Sequence, residues 1–502
     1  MPRLAINLHK IAAVTNVVIP LLAALFIFFG VRNSKWYHIG SVVFGGLFLV
    51  NVYLMNFQVK YAVLRNFGII GQLRYMLESI GPEFRQYLYL SDNEERPFNR
   101  TEREEVYSKS KNEDSTSSFG SQNEFNEHEI KIRHSMFPSS GYGGYKVVFG
   151  EERGISNIYA INKPAMISAM SFGALGESAV RALARGAKKA GIPINTGEGG
   201  YPKYHLMEGP NIIFQMGTAK FGVRNEDGSL NEYKLRKLSE NPQIKMIEIK
   251  FSQGAKPGKG GLLPKEKITG EISSLRRVPM GRDVVSPSHH IECKDAKTTV
   301  EFIKRVQDVS QLPVGMKLCL GDESEFTDLV KEMKLQNVFP DYVALDGSQG
   351  GTGAAPKSFM DDVGVPLFPA LRSVQNILVK GGVRDKMKIV ASGKLINPGK
   401  QIIALALGAD VVYTARGFML ALGCIQALQC NKNTCPVGIT TQNPGLQKGL
   451  DIEEKAERVK NYAVNLEKEF KEILSATGSK SYKDLNEKKL YIPEIEALAM
   501  CE

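Results

Sequence analysis

Short runs typical of β-strands alternate with helical stretches from about residue 160 onward, and this alternation restricts the fold more than any other feature of the sequence. Such alternation indicates a parallel sheet, because parallel strands need a crossover between them. Eight candidate strands predict an α/β fold, a (β/α)8 TIM barrel; they are Ala165–Met170, Ile192–Thr196, Lys245–Phe251, Asp283–Ser286, Val314–Leu318, Tyr342–Asp346, Lys388–Ala391 and Asp410–Thr414. A doubly wound sheet is the alternative, but no G-x-G-x-x-G motif follows a candidate strand.

Glycine-rich segments follow the last three predicted strands, at the end of a barrel where the chemistry of this fold is located. Backbone N–H groups approach an anion closely where no Cβ obstructs them, so these loops predict a cofactor that carries a phosphate. FMN fits best, with its ring on the SAMS loop (residues 168–171) and Lys317 as a cation near the flavin N1/C2 carbonyl, although a surface lysine is the alternative. The predicted cofactor-binding residues are Ala169, Met170, Ser171, Lys317, Gly350, Gly351, Thr352, Ser392, Gly393 and Arg416.

One loop, Gly423–Gln442, holds three of the 6 cysteines in the chain. Cys424, Cys430 and Cys435 are spaced C-x5-C-x4-C and end in Cys-Pro, which is typical of ligands to an iron–sulfur cluster. Three ligands suggest three irons, or four irons with one ligand that is not cysteine. Ordinary thiols and a zinc site are the alternatives, although the C-x2-C pairs usual for zinc are absent from the sequence.

Two apolar segments lead the chain, Ile11–Phe29 and a second from about residue 37 to residue 55. Each is long enough to cross a bilayer of about 30 Å, which predicts a transmembrane helical hairpin in the cell membrane. A cleaved signal peptide is the alternative. The resulting domain prediction is two transmembrane helices at 1–58, a connector arm at 59–155, the barrel with its cysteine loop at 156–445 and a helical tail at 446–502. Reduced cysteines favour a cytoplasmic catalytic domain.

The formal net charge of +11 raises the question of nucleic acid. The basic residues are scattered and no recognition motif accompanies them, so nucleic acid is not expected as a partner. A lipid bilayer and anionic small substrates explain the positive charge better.

Six stretches of sequence carry a specific resemblance and occur in one order over about residues 160–445: SAMSFGALGE, NTGEGG, EIKFSQGAKPGKGGLLP, SPSHH, GGTGA and NTCPVGITTQNP. With them the chain closely resembles the FMN-binding synthase domain of glutamate synthases. The two apolar segments make it similar to the short, membrane-anchored branch of that family.

The resemblance implies an activity. Synthase domains of this family reduce 2-iminoglutarate, formed from 2-oxoglutarate and ammonia, to L-glutamate, with hydride from N5 of reduced FMN. A [3Fe-4S] cluster re-reduces the flavin, and Cys424, Cys430 and Cys435 match its ligands. An electron donor protein, ferredoxin or an NAD(P)H-oxidising subunit, is therefore an expected partner.

The resemblance also implies roles for five residues. Gln253, Lys256 and Arg276 match residues that hold 2-oxoglutarate, and Glu198 matches a glutamate near the point where ammonia arrives. Glu198, Lys250 and Gln253 are the candidate catalytic residues, although Lys250 could equally serve the flavin, the substrate or a buried carboxylate.

Departures from the family pattern leave other functions open. Membrane segments stand where large glutamate synthases have a glutaminase domain, so ammonia is expected from solution or from a glutaminase partner. The family's SPPPHHDIYS is SPSHHIEC here, which leaves open a flavoenzyme acting on another 2-imino or 2-amino acid, such as an N-alkyl glutamate. A membrane-tethered redox carrier or sensor is the third hypothesis.

Overall fold

The structure is a computed structural model that describes residues 14, 17–29, 36–114, 116–122 and 129–493. It contains two compact units, Met1–Thr101 and Glu102–Glu502. The division falls inside the predicted connector arm, and the other predicted domain boundaries stay predictions.

Eight parallel strands form a closed barrel in the larger unit. Strand β8 pairs with β1 through Val412 and Ala165, which closes the barrel and confirms the predicted (β/α)8 architecture. The strands are β1 (Ala165–Ile167), β2 (Ile194–Asn195), β3 (Ile212–Met216), β4 (Ile244–Lys250), β5 (Val314–Leu318), β6 (Tyr342–Asp346), β7 (Lys388–Ser392) and β8 (Val411–Thr414).

One of the eight predicted strands is wrong. Within Asp283–Ser286, the residues Val284–Val285 pair antiparallel with Leu262–Leu263 in a small sheet outside the barrel. Strand β3 takes the vacant place in the barrel, and all of its residues are buried. The helix between β2 and β3, Lys203–Met207, has only 5 residues, so no clear helical pattern marked IIFQM as the start of a new unit. Consequently the predicted third strand is β4, and SPSHH lies in the same long connection from β4 to β5.

Helices and short strands surround the barrel. The helices of the larger unit, beginning with one that crosses the boundary between the units, are Arg100–Lys111, Glu177–Ala190, Lys203–Met207, Glu232–Ser239, Gly270–Arg276, Ala296–Ser310, Glu323–Gln336, Lys357–Asp362, Leu367–Lys380, Pro398–Ala406, Arg416–Ala421, Pro444–Gln447 and Ile452–Ala476. Single 3-10 turns lie at Lys265–Lys267, Arg384–Lys386, Tyr482–Asp484 and Glu487–Lys489. Two further antiparallel pairs are Val147–Phe149 with Tyr159–Ile161 and Lys131–Ile132 with Leu490–Tyr491.

Helix boundaries follow the local sequence. Asp295 and Thr298 form a capping box at the start of Ala296–Ser310, which satisfies free N–H groups of the first turn. Asn397 caps the helix that begins at Pro398, where proline's fixed φ suits the first helical position.

The smaller unit is helical in its described residues, with Val17–Phe29, Trp36–Asn56, Ala62–Phe67, Gly68–Ile70, Gly71–Phe84 and a π-helical turn Arg85–Tyr89. Within the described ranges one helix, His38–Asn56, is long and apolar enough to cross a membrane, and Val17–Phe29 is a shorter apolar helix. The first predicted membrane segment, Ile11–Phe29, begins outside the described residues, so the transmembrane hairpin stays a prediction.

The C-terminal helix Ile452–Ala476 packs against Glu177–Ala190 at a glycine. A Cβ atom on Gly186 would lie 2.5 Å from Cβ of Val459 and 2.8 Å from the carbonyl oxygen of Ala456. The two helices approach this closely because Gly186 has no side chain.

We expect the substitution Gly186→Ala to lower the thermal unfolding midpoint. Crowding in a packed interface typically costs about 1–3 kcal/mol. Alanine's better helix propensity would recover roughly 1 kcal/mol at most. Gly270→Ala is the matched control, because a Cβ there would have no described residue outside its own turn of helix within 4 Å. Equal midpoints for the two variants in calorimetry would contradict the close packing at Gly186.

Candidate active site

Charged side chains gather at the carboxyl ends of the barrel strands. Lys250 ends β4 and is the register neighbour of Lys317 on β5. Asp346 ends β6, where it accepts hydrogen bonds from the Ser392 hydroxyl and the Gly254 N–H, each at 2.8 Å. The Lys317 ammonium lies 3.9 Å from a carboxylate oxygen of Asp346. All of these charged groups are buried.

Glu198, Lys250 and Gln253 form one hydrogen-bonded group. The Lys250 ammonium donates to Oε1 of Glu198 at 2.9 Å and to Oε1 of Gln253 at 2.6 Å. Burial by itself raises the pKa of Glu198, but the positive charge of Lys250, with smaller effects of Lys256 and Arg276, outweighs it and lowers that pKa. Glu198 is therefore an ionised carboxylate among three cations.

Lys256 adds a second buried cation, on the segment that follows β4. The residue is 3% exposed, and its ammonium donates to the carbonyl oxygen of Ala354, in the β6 loop, at 2.7 Å. Burial, assisted by the charge of Lys250, lowers the pKa of Lys256 to about 8. A bound anion would stabilise the charged form of Lys256. The site can therefore accept additional negative charge.

Arg276 adds a third cation at the end of helix Gly270–Arg276. Its Nη2 donates to the Phe172 carbonyl at 2.8 Å, whereas its buried Nε has no hydrogen-bond partner in the described part of the chain. Burial lowers its pKa to about 10, partly offset by Glu198. A buried guanidinium with a free N–H is suited to grip a carboxylate. The structure thus brings together five predicted residues, which are Glu198, Lys250, Gln253, Lys256 and Arg276.

The loop after β1 contacts both this group and the cysteine loop. Its consecutive carbonyl groups, those of residues 172–175, have donors from distant parts of the chain. Arg276 binds the first, Gln442 Nε2 binds those of Gly173 and Leu175 at 3.1 and 2.8 Å, and Lys267 binds that of Ala174 at 2.6 Å. The predicted flavin-loop residues Ala169, Met170 and Ser171 immediately precede this segment.

The predicted phosphate region contains Arg416 together with Ser392, Gly393, Gly350, Gly351 and Thr352 on neighbouring loops. The Arg416 guanidinium donates to the carbonyl oxygen of Gln349 in the β6 loop. A Cβ on Gly351 would lie 2.9 Å from its side chain, so the glycine leaves room for the arginine. Burial lowers the pKa of Arg416 to about 10, with partial compensation from Asp346 and Glu102.

The chemistry of this end of the barrel fits an anionic cofactor and an anionic substrate. This end of the barrel has more cations than acids, and the cations are largely buried. The acids are Glu198 and Asp346, and the cations are Lys250, Lys256, Arg276, Lys317 and Arg416. Burying more cations than acids is costly, and an anionic ligand would offset that cost. A phosphate and a dicarboxylate both satisfy this requirement.

The pKa values of two thiols in the cysteine loop are shifted in opposite directions. Burial raises the pKa of Cys424 to about 12, and the neighbouring Cys430 and Cys435 contribute to the rise. Burial also opposes ionisation of Cys435, but hydrogen bonds from the Thr440 backbone and hydroxyl and from nearby N–H groups lower its pKa. Within the described residues, no three His, Cys, Asp or Glu side chains are close enough together to hold a metal ion. The donor types and the N–H groups around Cys435 fit an iron–sulfur cluster, whereas a preformed cage is not observed.

Sequence reasoning missed three residues at or below this site. Glu102 lies 3.2 Å from both Lys394 and Lys400. Lys267 is 2% exposed and lies near Cys430 and Cys435. Glu248 is fully buried inside the barrel, where it accepts hydrogen bonds from Asn195, Gln215, Tyr342 and Tyr413 at 2.8, 2.7, 3.2 and 3.0 Å. A glutamate between two isoleucines of the strand IKMIEIK was a detectable signal for Glu248.

Comparison with known proteins confirms the resemblance seen in the motifs. The family model described as "Conserved region in glutamate synthase" matches residues 99–480. The glutamate synthase large subunit-like protein YerD of Bacillus subtilis is 39% identical over 464 residues, which cover 84% of this chain and 88% of that protein. The archaeal glutamate synthase (NADPH) of Methanocaldococcus jannaschii is 37% identical over 351 residues, covering 67% of this chain and 66% of that protein. A solved flavocytochrome b2 variant with sulfite bound superposes with a TM-score of 0.48 at 15% identity, covering 86% of this chain and 88% of that one.

Proposed function

The chain belongs to the glutamate synthase family, and from this premise we propose that it converts 2-oxoglutarate and ammonia, through 2-iminoglutarate, to L-glutamate with the help of FMN and an iron–sulfur cluster. As a member of the family it is an oxidoreductase acting on CH–NH2 donors. The observation that carries the proposal is the ionised Glu198 surrounded by Lys250, Lys256 and Arg276.

Lys256, Arg276 and Gln253 are proposed to bind 2-oxoglutarate. A dicarboxylate needs two cationic partners, and Arg276 has a buried N–H group to which none of the described residues provides an acceptor. Gln253 supplies an amide within reach of the same site, since its carbonyl oxygen already accepts from Lys250 at 2.6 Å.

Glu198 is proposed to attract ammonium and to accept its proton. Its pKa is lowered, so it carries the negative charge that attracts a cation. Lys250 fixes the carboxylate by its 2.9 Å hydrogen bond, and glycines leave space for it, because a Cβ on Gly217 or Gly261 would lie 2.4 or 2.5 Å from its oxygens.

The cofactors are assigned to the remaining predicted residues. When bound, FMN supplies hydride transfer and the iron–sulfur cluster supplies single electrons. Lys317, Arg416, the β1 loop and the glycine loops after β6 and β7 would hold FMN. Cys424, Cys430 and Cys435 would hold a [3Fe-4S] cluster.

We further propose that the protein is attached to the cell membrane by two N-terminal helices, with the barrel in the cytoplasm. The helix His38–Asn56 supports attachment, because it is apolar and 11% buried. Electrons would come from ferredoxin or an NAD(P)H-oxidising subunit, and ammonia from solution or a glutaminase partner.

Anaerobic turnover of the full chain tests the proposed reaction. The detergent-purified protein is analysed for flavin and iron, reduced with dithionite and mixed with 2-oxoglutarate and ammonium. We expect flavin reoxidation and L-glutamate only when both substrates are present. Reoxidation without glutamate, or glutamate without ammonium, would contradict the proposed reaction.

A second candidate substrate class follows from the altered segment SPSHH. Its Ser286 carbonyl lies so close to Gly260 that a Cβ there would be 1.9 Å away, and the adjacent Gly261 borders Glu198. A segment changed at this position lies against the site and could select another 2-oxo acid or an amine. A panel of 2-oxo acids and amines distinguishes the two, since preference for 2-oxoglutarate with ammonia would eliminate an N-alkyl glutamate product. Reducible cofactors without turnover on the whole panel would indicate a redox carrier or sensor.

The apparent affinity for 2-oxoglutarate is expected to fall as the pH rises through about 8. The pKa of Lys256 is about 8, so its ammonium is charged below that value and progressively neutral above it. Above this pH, a bound dicarboxylate therefore no longer has the charged Lys256 ammonium as a partner. Titrations at several pH values measure the effect, and Lys256→Arg should remove it because arginine stays charged. A wild-type affinity that is constant across this range would remove Lys256 from the substrate site.

A further inference from the structure

The helix Gly71–Phe84 in the smaller unit carries an exposed apolar stripe. Leu73, Leu77 and Phe84 are 52%, 53% and 45% exposed, and Met76 and Ile80 are also exposed. These positions follow the spacing of three or four residues that defines one helix face. The opposite side of the helix carries polar residues, among them Arg74, Glu78 and Ser79. A stripe of this size on a solvent-facing helix requires an apolar partner.

The start of this helix is tied to the apolar helix Trp36–Asn56. The Asn51 side chain accepts the Ile69 N–H at 2.7 Å, and a Cβ on Gly68 would lie 1.9 Å from Asn51 Oδ1. Asn51 precedes the last residue of the apolar helix by about five positions, which is about 7.5 Å along a helix axis. The stripe therefore begins close to one end of the segment that is apolar enough to cross a membrane.

The charge and aromatic content of the same region fit a lipid surface. Lys60, Arg65, Arg74 and Arg85 lie in or beside the helices that follow Asn56, against two acids, Glu78 and Glu83. Exposed aromatic residues, Tyr53, Phe57, Tyr61, Tyr87 and Tyr89, cluster in the same stretch. Amphipathic helices with apolar, basic and aromatic residues bind about 5–10 Å deep at the boundary between headgroups and acyl chains. The distance from Asn51 to the end of its helix, about 7.5 Å, lies within this range of depths.

We propose that the helix Gly71–Phe84 lies in the interface of an anionic lipid leaflet, with its stripe of Leu73, Met76, Leu77, Ile80 and Phe84 in the acyl region. This inference rests on the proposed membrane attachment. It adds a second contact, parallel to the membrane, to the part of the chain predicted only as a connector arm.

Depth-dependent tryptophan quenching in the full chain tests the inference. The chain has a single tryptophan, Trp36. In a Trp36→Phe background, one tryptophan is placed at a time by Leu77→Trp on the stripe, Glu78→Trp on the polar side, or Leu47→Trp in the apolar helix. Each protein is reconstituted in phosphatidylcholine vesicles with or without phosphatidylglycerol, using lipids brominated near the headgroup or near the chain ends. Flavin content serves as the check of folding.

The expected pattern has three parts. Bromine near the headgroup should quench the fluorescence of the L77W variant several-fold more than that of the E78W variant. Aqueous iodide should quench E78W more than L77W, and L47W should respond to bromine near the chain ends. Removing phosphatidylglycerol should weaken the bromine quenching of L77W.

Other patterns would overturn the inference. If L47W is quenched by brominated lipid while L77W responds only to iodide, the attachment stands and the interfacial helix is wrong. Protection of L77W from both quenchers, growing with protein density, would indicate that a second copy covers the stripe instead of lipid. If L47W also responds only to iodide, the inference falls together with the membrane attachment.

Discussion

Replacing Arg276 by alanine is expected to weaken the apparent binding of 2-oxoglutarate by about 2–5 kcal/mol, as removal of one member of a buried, hydrogen-bonded charge pair does. Arg276 is 5% exposed, and among the described residues its Nε has no hydrogen-bond partner. The carboxylate of the proposed substrate would supply that partner. Substrate titration followed by flavin absorbance measures the loss, which corresponds to roughly 30-fold or more in affinity.

The neighbouring Arg277 provides the control for Arg276. Arg277 has the same side chain and lies outside the buried group, so Arg277→Ala should leave the affinity unchanged. Arg276→Lys should recover part of the binding, since lysine restores the charge without the bidentate geometry. Because Arg276 also binds the Phe172 carbonyl, loss of flavin in Arg276→Ala would assign it a structural role in the β1 loop instead. Unchanged affinity with flavin retained would remove it from the site.

Cys430→Ser is expected to abolish the iron–sulfur cluster while leaving FMN bound. A serine oxygen is a poorer ligand for cluster iron than a thiolate. The variant should contain little iron and lack the visible absorbance of the cluster. It should still turn over when its flavin is reduced directly by dithionite, but not when electrons arrive through a protein donor.

Cys293→Ser is the control for the cysteine loop. Cys293 lies outside that loop, in the connection from β4 to β5, and burial raises the pKa of its thiol to about 12. Its replacement should preserve iron and activity. Wild-type iron content in Cys430→Ser would make the cluster assignment wrong and favour the interpretation of ordinary thiols.

The barrel was predictable because seven of its strands are short apolar runs between clear helices. Strand β3 was missed because the helix before it, Lys203–Met207, has only 5 residues and gives too short a helical pattern to separate it from β2. Val284–Val285 has the β-branched residues of a strand and does form one, but its partner is Leu262–Leu263. Strand propensity does not specify a pairing partner.

The site was predictable where motif and strand end coincide, as for Lys250 and the QGAK segment. Lys267 and Glu102 were not predictable, because each lies in a charged stretch that looks solvent-exposed in the sequence. Their partners are distant in the chain: Lys267 binds the carbonyl of Ala174, and Glu102 pairs with Lys394 and Lys400. Only the fold decides which lysine of a charged run is buried.

The segment from Phe172 to Leu175 also connects the cationic group to the cysteine loop through hydrogen bonds to its carbonyls. Arg276, in the cationic group, binds one of its carbonyls, whereas Gln442, the last residue of the cysteine loop, and Lys267, near Cys430 and Cys435, bind the others. A chain of about four residues spans at most about 14 Å. Arg276 and Gln442 are thus held by the same few peptide units rather than joined through a free linker. A movement of the cysteine loop would therefore displace the same stretch of backbone that positions Arg276.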